Sequence, residues 1–215
     1  MHAKHLFFAL FILLSIIDVS MIYFDFKEFL WLPRGLSLTA IVLHGYFSTK
    51  QVHTSFWLLS FFIVLTGVLF SLNAYTLIGM CSLLGLRLAW LKLLLDTNTK
   101  IDREIFLKVF SITTMFFGVV LYLLYVDTIF YYLSIGTTLS LIALLAVSFS
   151  LFTKKGGAFG NREMLFSIII FIISDALSGS KKITGTSMFF IILSVVLYNT
   201  AYYFLMKAVM KNAKK

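Results

Sequence analysis

The chain has 215 residues, of which 60% are apolar, 17% aromatic and only 13% charged, with a single proline, a net charge of +9 and a mean hydropathy of +0.99. Helices of a water-soluble domain must show solvent a polar face, so a composition this apolar excludes one and predicts an all-α, polytopic transmembrane bundle, a single domain over residues 1–215. One cysteine, Cys81, excludes an internal disulfide, and no Cys/His cluster has metal-ligand spacing, so neither a metal nor another cofactor is expected.

A hydrocarbon core of about 30 Å takes roughly 20 residues of helix, and dividing the chain at its charged breaks gives eight spans. The first, near 6–24, follows Lys4 and lacks the small-x-small cleavage site of a signal peptide, so it is read as retained. Asp18 lies towards its outer end, close enough to the interface to be a solvated helix end. The second span, near 30–47, begins "LWLPRG", with Pro33 in the first turn, where proline is tolerated, and Arg34 after it. His44, one turn from the opposite end, reads as an interfacial side chain.

Phe56 to Leu95 is long enough for two crossings but has no charged linker; a hairpin at Asn73 and Tyr75 divides it into spans near 54–72 and 74–95, the second with Arg87 just past its middle. The fifth and sixth spans fall near 105–125 and 129–152. "KKGGAFGNRE", residues 154–163, is a connector, because its glycines lie between charges and open no strand-to-helix turn. The seventh span, near 163–179, holds "FSIIIFIISDALSGSKK", where Asp175 interrupts an apolar run. The eighth, near 187–207, contains "LYNTAYYF", whose Tyr198, Asn199, Tyr202 and Tyr203 can form an interhelical hydrogen-bonding stripe.

Lys and Arg are retained on the cytoplasmic side of a membrane. With eight spans, thirteen of them share a side with both termini and four (Lys27, Arg34, Lys181, Lys182) lie opposite, leaving Arg87 within the membrane; both termini are therefore expected in the cytoplasm. The same spread accounts for the positive charge as topology signals and contacts to anionic lipid, and no soluble element clusters it into a nucleic-acid surface. The expected setting is a multi-pass protein of a bacterial inner (plasma) membrane, with lipid as its partner.

An ionisable group at membrane depth costs at least ~2.5 kcal/mol in lipid, so such groups usually face the bundle interior and have a partner. Asp18, Asn73, Arg87, Asp175 and Asn199 gather from the bilayer centre outward, as the lining of an internal cavity would. Arg87 with Asp175 reads equally as a buried ion pair that fixes helix register and as a functional pair. Asn73 reads most simply as a turn residue.

The Arg-Glu ahead of a seventh span ending in Ser-Asp, "REMLFSIIIFIISDAL", followed by "YNTAYYFLMKAV", resembles the YhhN-like lysoplasmalogenase family of eight-span membrane proteins. Phe171, Ser174, Asp175 and Ala176 match its seventh-span pattern, and Tyr198, Tyr202 and Tyr203 its Tyr-rich eighth. In "GMCSLLGLRLAW", Gly79, Leu83, Arg87 and Trp90 stand where the family has a Gly, an aromatic or apolar residue, a His and a Tyr. The third span departs: in place of the family's Gly-Asp it reads "TGVLFSLN", with Val68 after Gly67 and Asn73 at the end.

The resemblance implies hydrolysis of the vinyl ether bond of a lysoplasmalogen to a fatty aldehyde and a glycerophospho head group. It makes Asp175 the acid, Arg87 its partner or a holder of the lipid phosphate, and Asn73 or a tyrosine the residue that positions water; Tyr198, Asn199, Tyr202 and Asp18 are the candidate substrate-binding residues. Arg87 cannot carry a proton in place of the family's His, and beside Asp175 it favours the ionised carboxylate. The alternative is a divergent, non-catalytic member that binds a lipid or another amphiphile. A transporter is less supported, since no inverted repeat is evident.

Overall fold

The structure is a computed structural model, and the residues it describes are 2–49, 54–72, 76–97, 101–123, 128–154, 161–184 and 187–212. Among them the chain forms eight α-helices and no strand: α1 His2–Tyr23, α2 Trp31–Ser48, α3 Thr54–Ser71, α4 Thr76–Thr97, α5 Arg103–Leu123, α6 Ile129–Lys154, α7 Asn161–Thr184 and α8 Met188–Asn212. Each expected span coincides with one helix. Six of them, α1, α3, α4, α5, α6 and α8, are long and apolar enough to cross a membrane. The two outside that set, α2 and α7, carry Arg34 and Asp175.

Neighbours in sequence pack as antiparallel pairs, α1 with α2, α3 with α4 and α7 with α8. Contacts of α2 with α3, α4 with α6, α6 with α7 and α8 with α1 close these pairs into a ring, inside which α2 also meets α8. Helix α5 packs chiefly on α6 and exposes Ile112, Met115 and Phe116, as a lipid-facing helix does. The ring encloses Leu38 and Ile41 of α2, Leu59 and Ile63 of α3, Trp90 of α4, Leu144 of α6, Phe171 of α7 and Tyr202 of α8.

Two features place the helix ends that matter below. Helix α1 stops in a Schellman turn: Phe26 N–H donates to the Met21 carbonyl at 2.9 Å, Asp25 N–H to that of Ile22 at 3.2 Å, and Asp25 takes the left-handed conformation with φ 63°. Helices α2 and α3 approach closely because Gly67 has no side chain; a Cβ there would lie 2.1 Å from Leu38 Cδ1.

Candidate functional site

A cavity of about 540 Å³ lies at the end of the bundle where α1 and α3 finish and α2 and α8 begin. Ile22, Phe70, Leu83 and Ile191 make its walls largely apolar, and Arg34, Ser71, Asp175, Tyr198 and Asn199 put polar groups among them. An apolar enclosure with a few converging polar groups is the usual form of a ligand site.

Asp175 reaches the cavity from α7 with its side chain 30% exposed. Arg87 of α4, 5% exposed and absent from the lining, stands behind it: Nη2 donates to Asp175 Oδ2 and Nη1 to the backbone carbonyl of Thr137 on α6. Among the described residues, the Arg87 Nε–H is buried and has no hydrogen-bond partner. The pair therefore joins three helices, and only its acidic member meets the cavity. As placed, the guanidinium pairs with Asp175 and the Thr137 carbonyl and does not line the cavity.

A second ion pair forms the opposite kind of wall. Arg34 of α2 grips Asp18 of α1 as a fork, Nε to Oδ2 at 3.0 Å and Nη2 to Oδ1 at 3.1 Å, while Nη1 donates to Ser71 Oγ of α3 at 3.0 Å. Asp18 has no exposed surface and lies outside the cavity lining, whereas Arg34 is in it. Asp18 is thus not a solvated helix end: α1 continues past it to Tyr23, and the carboxylate is buried against a guanidinium that compensates its lost hydration. From sequence, Arg34 reads only as a charge on the outer side of the membrane. The available signal was depth, since an acid near the outer end of the first span and a base near the start of the second fall at one level in an antiparallel pair.

Across from these, Tyr198 and Asn199 of α8 line the cavity. Tyr202 is fully buried behind Tyr198 and donates its hydroxyl to it at 2.9 Å, and the Phe171 ring packs on both. Ser174 and Ser167 of α7 donate to the carbonyls of Ser194 and Ala201 at 2.8 and 2.6 Å, which fixes α7 against α8. The structure therefore gathers Asp175, Tyr198 and Asn199 around one space, sets Arg87 and Tyr202 directly behind them, and adds Arg34, with Asp18 behind it. Asn73 lies outside the described residues. His44 sits towards the other end of α2, its Nδ1 2.7 Å from the Lys4 carbonyl oxygen.

No family model, curated protein or solved structure matches this chain.

Proposed function

We propose that the chain is a divergent YhhN-like membrane protein, eight-span with both termini in the cytoplasm of a bacterial cell, which takes the polar end of a single-chain ether lipid into the cavity and hydrolyses its vinyl ether bond. One observation carries the reading: Asp175, which the resemblance makes the acid of the site, is an intramembrane carboxyl open to a cavity of about 540 Å³, with Tyr198 and Asn199 beside it. A lipid tail can leave such a cavity among apolar side chains while the polar end stays inside.

The reaction needs a proton delivered to the vinyl carbon, which turns the ether into an oxocarbenium ion. Water adds to that cation, loses a proton, and the hemiacetal breaks into the aldehyde and the glycerol hydroxyl. Asp175 gives the first proton and recovers one from the added water, so one water is consumed and the carboxyl is restored. Arg87 stabilises the carboxylate formed in between. Because that contact favours the ionised carboxylate, Asp175 must take up a proton before the first turnover and keep it against Arg87 between turnovers.

That requirement favours a second reading, lipid binding without turnover, in which the Arg87–Asp175 pair stays closed and serves as a wall of the cavity. Aldehyde release from a lysoplasmenylethanolamine by the purified protein in detergent, beside its Asp175→Asn variant, separates the two. Hydrolysis predicts release by the parent and none by the variant. If neither releases aldehyde while both remain folded, the hydrolase reading fails and binding without turnover stands.

A further inference from the structure

The two ion pairs turn opposite poles to the same cavity. Asp175 faces it with Arg87 behind, and Arg34 faces it with Asp18 behind. We infer that Arg34, held in place by Asp18, is the oxyanion-binding residue of the cavity and takes the phosphate of the bound lipid. The inference rests on the cavity being a lipid site and adds which end of the lipid goes where.

The hydrogen-bond inventory leaves room for such a ligand. Arg34 uses one N–H on each of its three nitrogens, for Asp18 twice and for Ser71 once, and a guanidinium has five. Among the described residues, one N–H on each Nη is left without an acceptor, so the guanidinium keeps donors for the oxygens of a phosphate. Asp18 cancels the charge at a distance. A ligand inside the cavity is nearer the guanidinium than the carboxylate behind it, and the apolar walls at Ile22, Phe70 and Leu83 weaken screening there. The helix ends do not replace this charge: α2 and α8 start at the cavity and α1 and α3 end there, so their partial charges largely offset one another.

A purely architectural pair would make a different prediction. If Arg34 only ties α1 to α2 and α3, its loss lowers stability and weakens every ligand alike. If it binds an oxyanion, its loss removes the preference for ligands that carry one.

The test measures binding to the full chain in detergent for a lysophosphatidylcholine and for a monoacylglycerol of the same acyl chain, which lacks the phosphate. The parent protein is expected to favour the phospholipid by about tenfold or more, the scale of a charge-assisted contact. Arg34→Gln should abolish that preference, bringing the affinities for the two lipids to within about twofold of each other. Arg34→Lys, which keeps the charge but loses the two-point geometry, should retain part of it and carries the test if the glutamine variant does not fold. Inorganic phosphate is added as a competitor: displacement of the lysophospholipid at millimolar concentration identifies the free anion as a ligand of the same residue, and no displacement assigns the site to the lipid head group.

Equal affinity of the parent for both lipids, or a preference that survives Arg34→Gln, overturns the inference. Binding of neither lipid overturns it together with the reading of the cavity. Aldehyde release is scored separately, so a protein that prefers the phospholipid through Arg34 without hydrolysing a vinyl ether refutes only the hydrolase reading.

Discussion

Asp18→Asn keeps the outline of the side chain and removes its charge, leaving the Arg34 guanidinium, 16% exposed, against a neutral amide. Removing one partner of a buried ion pair costs roughly 3–5 kcal/mol, because the remaining charge loses its compensation but does not regain water. Two facts of this site place the loss at the lower end of that range: Arg34 is partly open to the cavity, and the asparagine oxygen can still accept one of the two fork bonds. For a chain of this length 1 kcal/mol corresponds to roughly 2–4 °C in Tm, so a fall of roughly 6–12 °C is expected. Thermal unfolding in detergent, followed by the fluorescence of Trp31, Trp57 and Trp90, reads it. The double variant Asp18→Leu with Arg34→Met supplies the control, since exchanging both members of a buried pair for apolar residues is often neutral. A shift under about 2 °C for Asp18→Asn, or a double variant no more stable than the single one, would refute the account of Asp18 as a charge buried by its partner.

Gly67→Ala should lose about 1–3 kcal/mol, because its Cβ would lie 2.1 Å from Leu38 Cδ1 and Leu38 is itself completely buried; Gly118→Ala on α5, with nothing within 4 Å, should be neutral or stabilising by up to about 1 kcal/mol. The same melts check both, and an equal effect at the two glycines would contradict the close packing of α2 on α3. Ser167→Ala and Ser174→Ala each remove one hydroxyl-to-carbonyl bond between α7 and α8, and each should cost about 0.6 kcal/mol, typical of interhelical bonds in membrane proteins. A loss above about 2 kcal/mol for either would assign that serine more than helix pairing.

Much of the architecture was legible because a bilayer imposes one strong rule. Backbone polar groups in hydrocarbon must be satisfied within the segment, so apolar stretches of about 20 residues become helices, and charged breaks mark their ends. The expected spans near 105–125 and 129–152 accordingly coincide with α5, Arg103–Leu123, and α6, Ile129–Lys154. A weakly apolar segment, "WLPRGLSLTAIVLHGYFS", still forms the helix α2, since α1, α3 and α8 cover it and Arg34 and Ser37 face cavity and protein.

Partners were less legible. Arg87 and Asp175 could be matched from sequence because both are ionisable groups inside otherwise apolar expected spans. Arg34 escaped, since a base beside a proline at a helix start reads as an interfacial charge, and Asp18 for the same reason read as solvated. Depth along a span restricts which residues can meet, but the rotation of each helix about its axis decides whether they do. That rotation follows from packing, such as the contact of Gly67 with Leu38, in which both residues are apolar and carry no periodic signal in helices that are apolar on every side.

By itself the sequence determined the solvent, the helical class and the position of each helix, all set by composition and by local backbone chemistry. Only the tertiary structure decided which member of each ion pair faces the cavity, Asp175 in one and Arg34 in the other. The reason is that burial of a charge depends on what neighbouring helices place around it, a property of α1 against α2 and of α4 against α6 and α7 that no single segment contains.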